Sequence, residues 1–151
     1  MLIDIGANLT HESFRCDIEP VLTRAKASNV DKIIVTGTSV HSSREAQQLT
    51  RRYNSLYSTA GIHPHHAEET CETAIADLEK ILNLPRVVAV GETGLDFFRD
   101  YTAKKVQILS FEKHVELAIK FQLPMFLHER DAHEAFYDII HTSRDKLSKL
   151  V

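Results

Sequence analysis

The sequence has few cysteines, and its apolar segments are short. Cys16 and Cys71 are the only two cysteines among the 151 residues. Their separation of 55 positions matches neither a disulfide framework nor a CxxC metal or redox motif, so we interpret both as structural or incidental thiols. The longest apolar runs, such as residues 87–90 and 124–127, fall far short of the roughly 20 residues that a membrane helix needs. No segment is therefore expected to span a bilayer.

The sequence also lacks an excess of basic charge. Its 18 lysine and arginine residues are outnumbered by 21 aspartate and glutamate residues, which gives a formal net charge of −3. No basic surface of the kind that by itself indicates a nucleic-acid-binding protein is predicted. Residues 1–4 have neither the basic start nor the apolar stretch of a signal peptide. We therefore expect a cytoplasmic protein.

What the sequence does contain is the composition of an ordinary globular protein. Apolar residues make up 43% and charged residues 26% of the chain, which are proportions typical of a soluble domain. Because a domain has about 150 residues, the length predicts one domain over residues 1–151.

Short runs rich in valine and isoleucine alternate with stretches of helical pattern. The predicted strands are residues 2–5, 32–36, 56–60, 87–90 and 125–127, and helices are predicted near 18–29, 41–53, 72–82, 102–121 and 132–142. The fourth helix has the clearest apolar face, with Thr102 as its predicted N-cap. Apolar strands separated by single helices indicate an α/β fold with a parallel sheet. Residues 149–151 predict the start of a sixth strand.

Three polar residues follow consecutive strands of this repeat. His63, Glu92 and His128 come after the third, fourth and fifth predicted strands, and their separations of 29 and 36 residues match one βα unit of about 30. The carboxyl ends of parallel strands lie on one face, where enzymes of this class place their chemistry. Two imidazoles and a carboxylate on one face predict a metal site.

Each of these residues also has a structural interpretation. His63 can be a turn residue that faces solvent, Glu92 the first-turn acid of a short helix, and His128 a strand-end histidine bonded to a backbone carbonyl. The coincidence of all three with the repeat favours the functional interpretation.

Two further residues near these positions keep two interpretations each. Arg130 can meet an anionic oxygen of a substrate, or it can pair with Asp131 or Glu134. Asp96 can orient a metal ligand, or it can cap a helix near residues 97–101.

Four segments together resemble a known family. They are DIGANLT at residues 4–10, GIHPH at 61–65, GETGLD at 91–96 and HERDA at 128–132. In this order and spacing they resemble the TatD family of metal-dependent deoxyribonucleases, which belongs to the amidohydrolase-like group of TIM barrels. The resemblance extends over the whole chain.

The resemblance implies a function and roles for individual residues. Members of the family are described as cytoplasmic 3′–5′ exonucleases that cleave DNA, and in some cases RNA, with a divalent metal. That metal is commonly Mg²⁺, with Mn²⁺ and Zn²⁺ as alternatives. By resemblance, Glu92 is a bridging metal ligand, His128 is a second ligand, and His63 and His65 belong to a catalytic loop near the scissile phosphate.

The sequence departs from the family in two respects. Much of the wider family begins with D-x-H-x-H, but Gly6 and Asn8 occupy the two histidine positions here. A TIM barrel has eight βα units in about 250 residues, so we expect this chain to be the first five units of a truncated barrel that self-associates. The competing hypotheses are a small-molecule amidohydrolase or lactonase on the same scaffold, and an inactive half-barrel remnant.

Overall fold

Five parallel strands form one sheet in the computed structural model, which describes residues 1–99 and 101–151. The strands are β1 (Leu2–Ala7), β2 (Val30–Val35), β3 (Leu56–Ala60), β4 (Val87–Asp96) and β5 (Met125–Arg130). They are hydrogen-bonded in the order in which they occur along the chain. The predicted parallel βα repeat, the first five units of a TIM-barrel-like fold, is confirmed.

One α-helix follows each strand, as parallel neighbours require. The helices are α1 (Ile18–Ala27), α2 (Val40–Arg52), α3 (Glu72–Leu82), α4 (Lys104–Phe121) and α5 (His133–Ser143), and short 3-10 turns cover Glu12–Phe14, Pro64–Glu69 and Arg144–Lys146. Each helix end lies within two residues of its predicted position. Within the described residues, none of these helices combines the length and hydrophobicity that crossing a lipid bilayer requires.

The longest helix, α4, buries the apolar face that the sequence predicts. Phe111 and Val115 of this face are buried in the core. The prediction that Thr102 caps the helix is wrong, because Ala103 occupies the cap position and makes no side-chain hydrogen bond there. The Thr102 hydroxyl instead donates to the backbone carbonyl of His65 at 3.3 Å.

The fourth and fifth strands are longer than the sequence predicts. The sequence predicts the fourth strand over residues 87–90, but β4 continues through Gly91 to Asp96 and pairs with β5 along its second half. In the same way, β5 continues to Arg130. Glu92 and His128 therefore lie within strands, and the interpretation of Glu92 as the first-turn acid of a short helix is wrong.

Two apolar clusters pack the helices against the sheet. The larger cluster joins β3, β4 and β5 to α3, α4 and α5, and it includes the rings of Phe111 and Phe136, stacked with 5.1 Å between their centroids. The smaller cluster lies under α1 and α2. Leu150 forms a parallel bridge with Met125, so the last residues run beside β5, as predicted for the start of a sixth strand.

Candidate metal centre

Three side chains from neighbouring βα units meet at the carboxyl-end region of the sheet. His63 follows β3, Glu92 lies in β4 and His128 lies in β5. One ligand atom from each residue lies within 4.8 Å of the other two, the one such grouping among the described residues. The predicted convergence of these side chains is confirmed, and we refer to the three as the His/Glu cluster.

The distances within the cluster fit a single divalent ion. The Nδ1 atom of His128 lies 3.4 Å from Oε1 of Glu92, and the Nε2 atom of His63 lies 3.7 Å from the same oxygen. Two donors that each bind an ion at about 2.1 Å lie at most about 4.2 Å apart. Carboxylate and neutral imidazole are donors that divalent ions accept, so the donor set and its spacing fit such an ion.

Two glycines bring β4 close to β5 on either side of Glu92. Gly91 and Gly94 have φ angles of 136° and 142°, a region that glycine alone adopts readily. A Cβ atom at Gly91 would lie 2.1 Å from the carbonyl oxygen of Phe126, and one at Gly94 would lie 2.0 Å from that of His128. No side chain fits at either position. The two glycines therefore allow β4 to approach β5 closely, which brings Glu92 next to His128.

His63 is fixed by hydrogen bonds on both its backbone and its ring. It precedes the 3-10 turn Pro64–Glu69, and its backbone N–H donates to the Thr38 carbonyl at 2.9 Å. The Nδ1 atom of its ring accepts the backbone N–H of His65 at 3.2 Å. A neutral ring with an accepting Nδ1 carries its proton on Nε2. His63 therefore presents an N–H toward Glu92, which suits a hydrogen-bond donor better than a metal ligand.

Asp96, at the end of β4, contacts two of the histidines. Its Oδ2 atom lies 2.8 Å from Nε2 of His65 and 3.2 Å from Nε2 of His128. Its Oδ1 atom accepts the backbone N–H of Arg99 at 2.9 Å. Of the two interpretations of Asp96, the contact with His128 fits the one in which it orients a candidate metal ligand. Residues 97–99 form a turn and not a helix, so Asp96 closes a turn there instead of capping a helix.

These Asp96 contacts select one tautomer for His65 and His128. An ionised carboxylate only accepts hydrogen bonds, so both imidazoles donate from Nε2. When neutral, each ring then carries its lone pair on Nδ1, and in His128 this is the atom that faces Glu92. A histidine whose second nitrogen is held by a carboxylate is the usual arrangement of a metal-binding imidazole.

Burial and neighbouring charges shift the pKa values of the cluster in different directions. Burial lowers the pKa of His63 to about 4, although the Glu92 carboxylate acts in the opposite direction. When the His128 ring is protonated, its Nδ1 can donate to Glu92, and this hydrogen bond raises the pKa of His128 against the effect of burial, with Asp96 adding to the rise. His63 is therefore neutral at pH 7, whereas His128 gains its proton more easily than an exposed histidine.

The two carboxylates remain ionised despite their burial. Burial acts to raise the pKa of Glu92, but the hydrogen bond from His128 and the nearby imidazoles lower it overall. Burial opposes ionisation of Asp96 in the same way, yet the Arg99 backbone N–H and the two histidine side chains hold its pKa well below the usual range. Both carboxylates are therefore anionic, and of the two, Glu92 belongs to the group that could hold a cation.

Sequence reasoning missed a polar stripe on the buried face of α4. Gln107, Ser110 and His114 are buried and spaced three and four residues apart. The Gln107 side chain forms hydrogen bonds with the backbone of Asp96 and Thr102. Nε2 of His114 accepts the backbone N–H of Ile62 at 2.9 Å. The helical spacing of polar residues within an apolar face is the signal that would have found them.

Arg130, expected to bind substrate, does not pair with the nearby acids. Among the described residues, its guanidinium forms no ion pair with Asp131 or Glu134, and it stacks on the Phe98 ring with 3.9 Å between the guanidinium carbon and the ring centroid.

At the first strand, Oδ1 of Asp4 accepts the backbone N–H of Gly6 at 3.0 Å. The structure does not bring Asp4 into the His/Glu cluster.

Comparison with known proteins gives a consistent result. The TatD related DNase family matches residues 3–151. A protein named 3′-5′ ssDNA/RNA exonuclease TatD from Salmonella typhimurium strain LT2 is 39% identical over 97% of this chain and 56% of its own length. Its namesake from Erwinia billingiae is 42% identical over 92% of this chain and 54% of its own length.

A solved structure shares the fold as well as the sequence. The crystal structure of YJJV, a TatD homolog from Escherichia coli K12, is 32% identical, has a TM-score of 0.87, and is matched over 97% of this chain and 56% of its own. The chain thus spans about half the length of the relatives that it matches. With the family match covering nearly every residue, the chain belongs to the TatD related DNase family.

Proposed function

We propose that the protein, at its full natural length, is a metal-dependent hydrolase of nucleic-acid phosphodiesters that acts as a 3′–5′ exonuclease on single-stranded DNA or RNA. The observation that carries the proposal is the approach of Nδ1 of His128 to the Glu92 carboxylate at 3.4 Å. Relatives that cover 97% and 92% of this chain carry the name of such an exonuclease, which supports the substrate class.

In this proposal, Glu92 and His128 hold the divalent ion. Asp96 keeps the Nε2 proton of His128 in place, so the ring offers its Nδ1 lone pair beside the Glu92 carboxylate. When bound, a divalent ion supplies activation of water and neutralisation of charge on a phosphodiester. We propose Mg²⁺, in keeping with the family resemblance, with Mn²⁺ and Zn²⁺ as alternatives that imidazole ligands favour.

His63 and His65 are the residues proposed to act on the substrate. The Nε2 proton of neutral His63 points into the cluster, where it can donate a hydrogen bond to a phosphate oxygen. His65 donates its Nε2 proton to Asp96, which leaves Nδ1 as the proton acceptor that general base catalysis requires. Arg130 is proposed to contact the phosphate backbone, because its guanidinium forms no ion pair among the described residues.

The exonuclease proposal is tested by replacing Glu92 in the full-length protein. Glu92→Gln keeps the shape but removes the charge, and hydrolysis of a 3′-labelled single strand with Mg²⁺ should fall by about 100-fold or more, because lesser changes behind a metal ligand already cost about 10–100-fold. Glu116→Gln, at an exposed position on α4, is the matched control. Turnover within a few-fold of the parent would show that Glu92 is not a ligand.

The same preparations separate the competing functions. A small-molecule amidohydrolase or lactonase would hydrolyse lactones or cyclic amides and leave oligonucleotides intact. An inactive remnant would hydrolyse neither kind of substrate. In calorimetry it would bind metal no better than the Glu92→Gln variant does. We expect metal binding together with oligonucleotide cleavage.

Two further properties belong to the proposal. We propose a cytoplasmic location, in keeping with the family resemblance, and subcellular fractionation tests it. We also propose that the 151-residue chain self-associates, because β1 exposes Leu2, Ile3 and Ile5 and unprotected strands invite pairing. Sedimentation of this chain measures its association state.

A further inference from the structure

Exposed aromatic rings lie on the segment that follows β4, and one of them contacts His65, whose ring packs against that of His63. The segment that follows β4 contains Phe97, Phe98 and Tyr101, of which Phe98 is 59% and Tyr101 is 69% exposed. The Tyr101 ring lies 4.8 Å from the His65 ring, measured between centroids. Large aromatic rings usually bury most of their surface, so two exposed rings beside a candidate centre require an explanation.

Hydrogen bonds anchor both ends of this segment. The backbone N–H of Asp96 donates to Oε1 of Gln107 at 2.8 Å, and Nε2 of Gln107 donates to the carbonyls of Asp96 and Thr102 at 3.0 and 2.7 Å. The Thr102 hydroxyl donates to the carbonyl of His65. Phe98 and Tyr101 therefore lie close to backbone that is held in place, and groups held in place before a ligand arrives lower the entropy cost of binding.

Cationic groups lie over two of the aromatic rings. The guanidinium of Arg130 stacks on Phe98, and the ammonium of Lys104 lies 4.8 Å from the Phe97 ring centroid. Exposed rings combined with nearby cations are the means by which proteins bind single strands, since the rings stack on bases while the cations meet phosphates.

We propose that Phe98 and Tyr101 stack on unpaired bases at the end of a single-stranded substrate and so position the adjoining phosphodiester at the His/Glu cluster. This inference rests on the proposed function, because it names how the same site selects its substrate. A base inside a duplex has both faces covered by its neighbours, whereas an unpaired base can be splayed out and stacked on protein rings. The rings thus act as positioning and specificity residues.

Binding without cleavage tests the proposal in the full-length protein. Fluorescence anisotropy in EDTA compares a short single-stranded oligonucleotide with an identical one that is abasic at its 3′-terminal nucleotides. Phe98→Ala and Tyr101→Ala should each weaken binding of the intact strand by roughly 5- to 150-fold, the range that loss of one stacked base produces. The abasic strand should bind the parent and both variants with similar, weaker affinity.

Matched variants separate stacking from other effects. Tyr101→Phe keeps the ring and should bind like the parent, whereas Phe98→Leu keeps apolar character without a flat face and should bind like Phe98→Ala. Tyr137→Ala removes a ring that is 54% exposed but belongs to α5 and not to the segment, and it should leave binding of both strands unchanged.

The outcomes distinguish this inference from the proposed function. Equal losses on intact and abasic strands, or unchanged binding, would overturn the stacking role. A parent that cleaves single strands with Mg²⁺ yet binds intact and abasic ends equally would overturn the stacking role alone. A parent that neither binds nor cleaves single strands would overturn the proposed function, and the stacking role with it.

Discussion

Strands β1 and β4 belong to the same sheet but differ sharply in their surroundings. Residues 2–6 of β1 are all exposed, and this strand pairs with β2 alone among the described residues. Eight of the ten residues of β4 are buried, with β3 and β5 as neighbours and α3 and α4 in contact. Glu92 and Asp96 thus lie on a strand that is paired along both edges and packed against helices.

The difference shows how the side chains of the candidate site are held in position. A metal site needs ligands held to within a fraction of an ångström, and side chains on a buried strand with two partners have little freedom to move. Glu92 and Asp96 both belong to β4, so one strand positions the candidate metal ligand and the carboxylate that contacts His128. Residues on β1 have no comparable support among the described residues.

Replacing a glycine should show the largest contrast between the two strands. Gly94→Ala places a Cβ 2.0 Å from the carbonyl oxygen of His128 at a φ of 142°, and steric overlap plus backbone strain should cost about 4 kcal/mol or more of unfolding free energy. Gly6→Ala in β1 places its Cβ 3.0 Å from the far end of the Phe126 ring, which can shift, so about 1 kcal/mol is expected. Urea unfolding measures both, and equal losses would contradict the comparison.

These glycines also mark the limit of what the sequence could predict. The strand cores and the parallel order follow from apolar runs and single intervening helices, and all five were predicted. The predicted fourth strand stops at residue 90, before Gly91, because a glycine after an apolar run usually marks a turn. Its actual role depends on the carbonyl of Phe126 in a neighbouring strand, and a local pattern carries no information about such a contact.

Acid should destabilise the half of the molecule that contains β4. Complete burial lowers the pKa of His114 to about 4 from the ordinary 6.5, so the unfolded chain binds a proton there that the folded chain excludes. The stabilising contribution is full above pH 6.5 and is lost as pH falls toward 4, which amounts to about 3 kcal/mol. Unfolding free energy measured from pH 7 to 4 should show this decline.

Two variants isolate the contribution of His114. His114→Gln can still accept from Ile62 and donate to the Ser110 carbonyl, the two contacts that the histidine makes, but it does not titrate. The variant should therefore lose less unfolding free energy between pH 7 and 4 than the parent does. Some loss should remain, because burial also lowers the pKa of His63. Gln48→Ala, at an exposed position on α2 that carries no titratable group, should leave the curve unchanged. An unaltered curve for His114→Gln would refute the assignment.

A carboxylate on each strand offers a functional comparison. Asp96→Asn removes the negative charge that Oδ2 offers to both His65 and His128 and leaves one accepting oxygen, so either the two rings or the Arg99 backbone N–H loses its acceptor. We expect kcat/KM for single-stranded DNA and metal affinity to fall by about 10–100-fold. Among the described residues, the Asp4 side chain bonds only the Gly6 backbone, so Asp4→Asn should change either quantity by no more than a few-fold.

The candidate site could be predicted only where sequence spacing reflects the repeat. His63, Glu92 and His128 follow the βα period, so their convergence was predictable. The choice between ligand and donor depends on hydrogen bonds to the second ring nitrogen, which link residues about 30 positions apart, as between His65 and Asp96. Such pairings leave no trace in a local pattern, and the same holds for the Arg130 stack on Phe98.

The smallest effect on folding, but a clear effect on association, is expected at β1 itself. Ile5 is 46% exposed, so Ile5→Lys should change the unfolding free energy by only about 0.5 kcal/mol. A lysine on an exposed strand opposes pairing with another chain, and the 151-residue chain should therefore shift from associated species toward the monomer in sedimentation velocity. Leu109→Lys, at a similarly exposed site on α4, should leave the distribution as it is. If both lysine variants sediment like the parent, β1 is not the surface through which the chain associates.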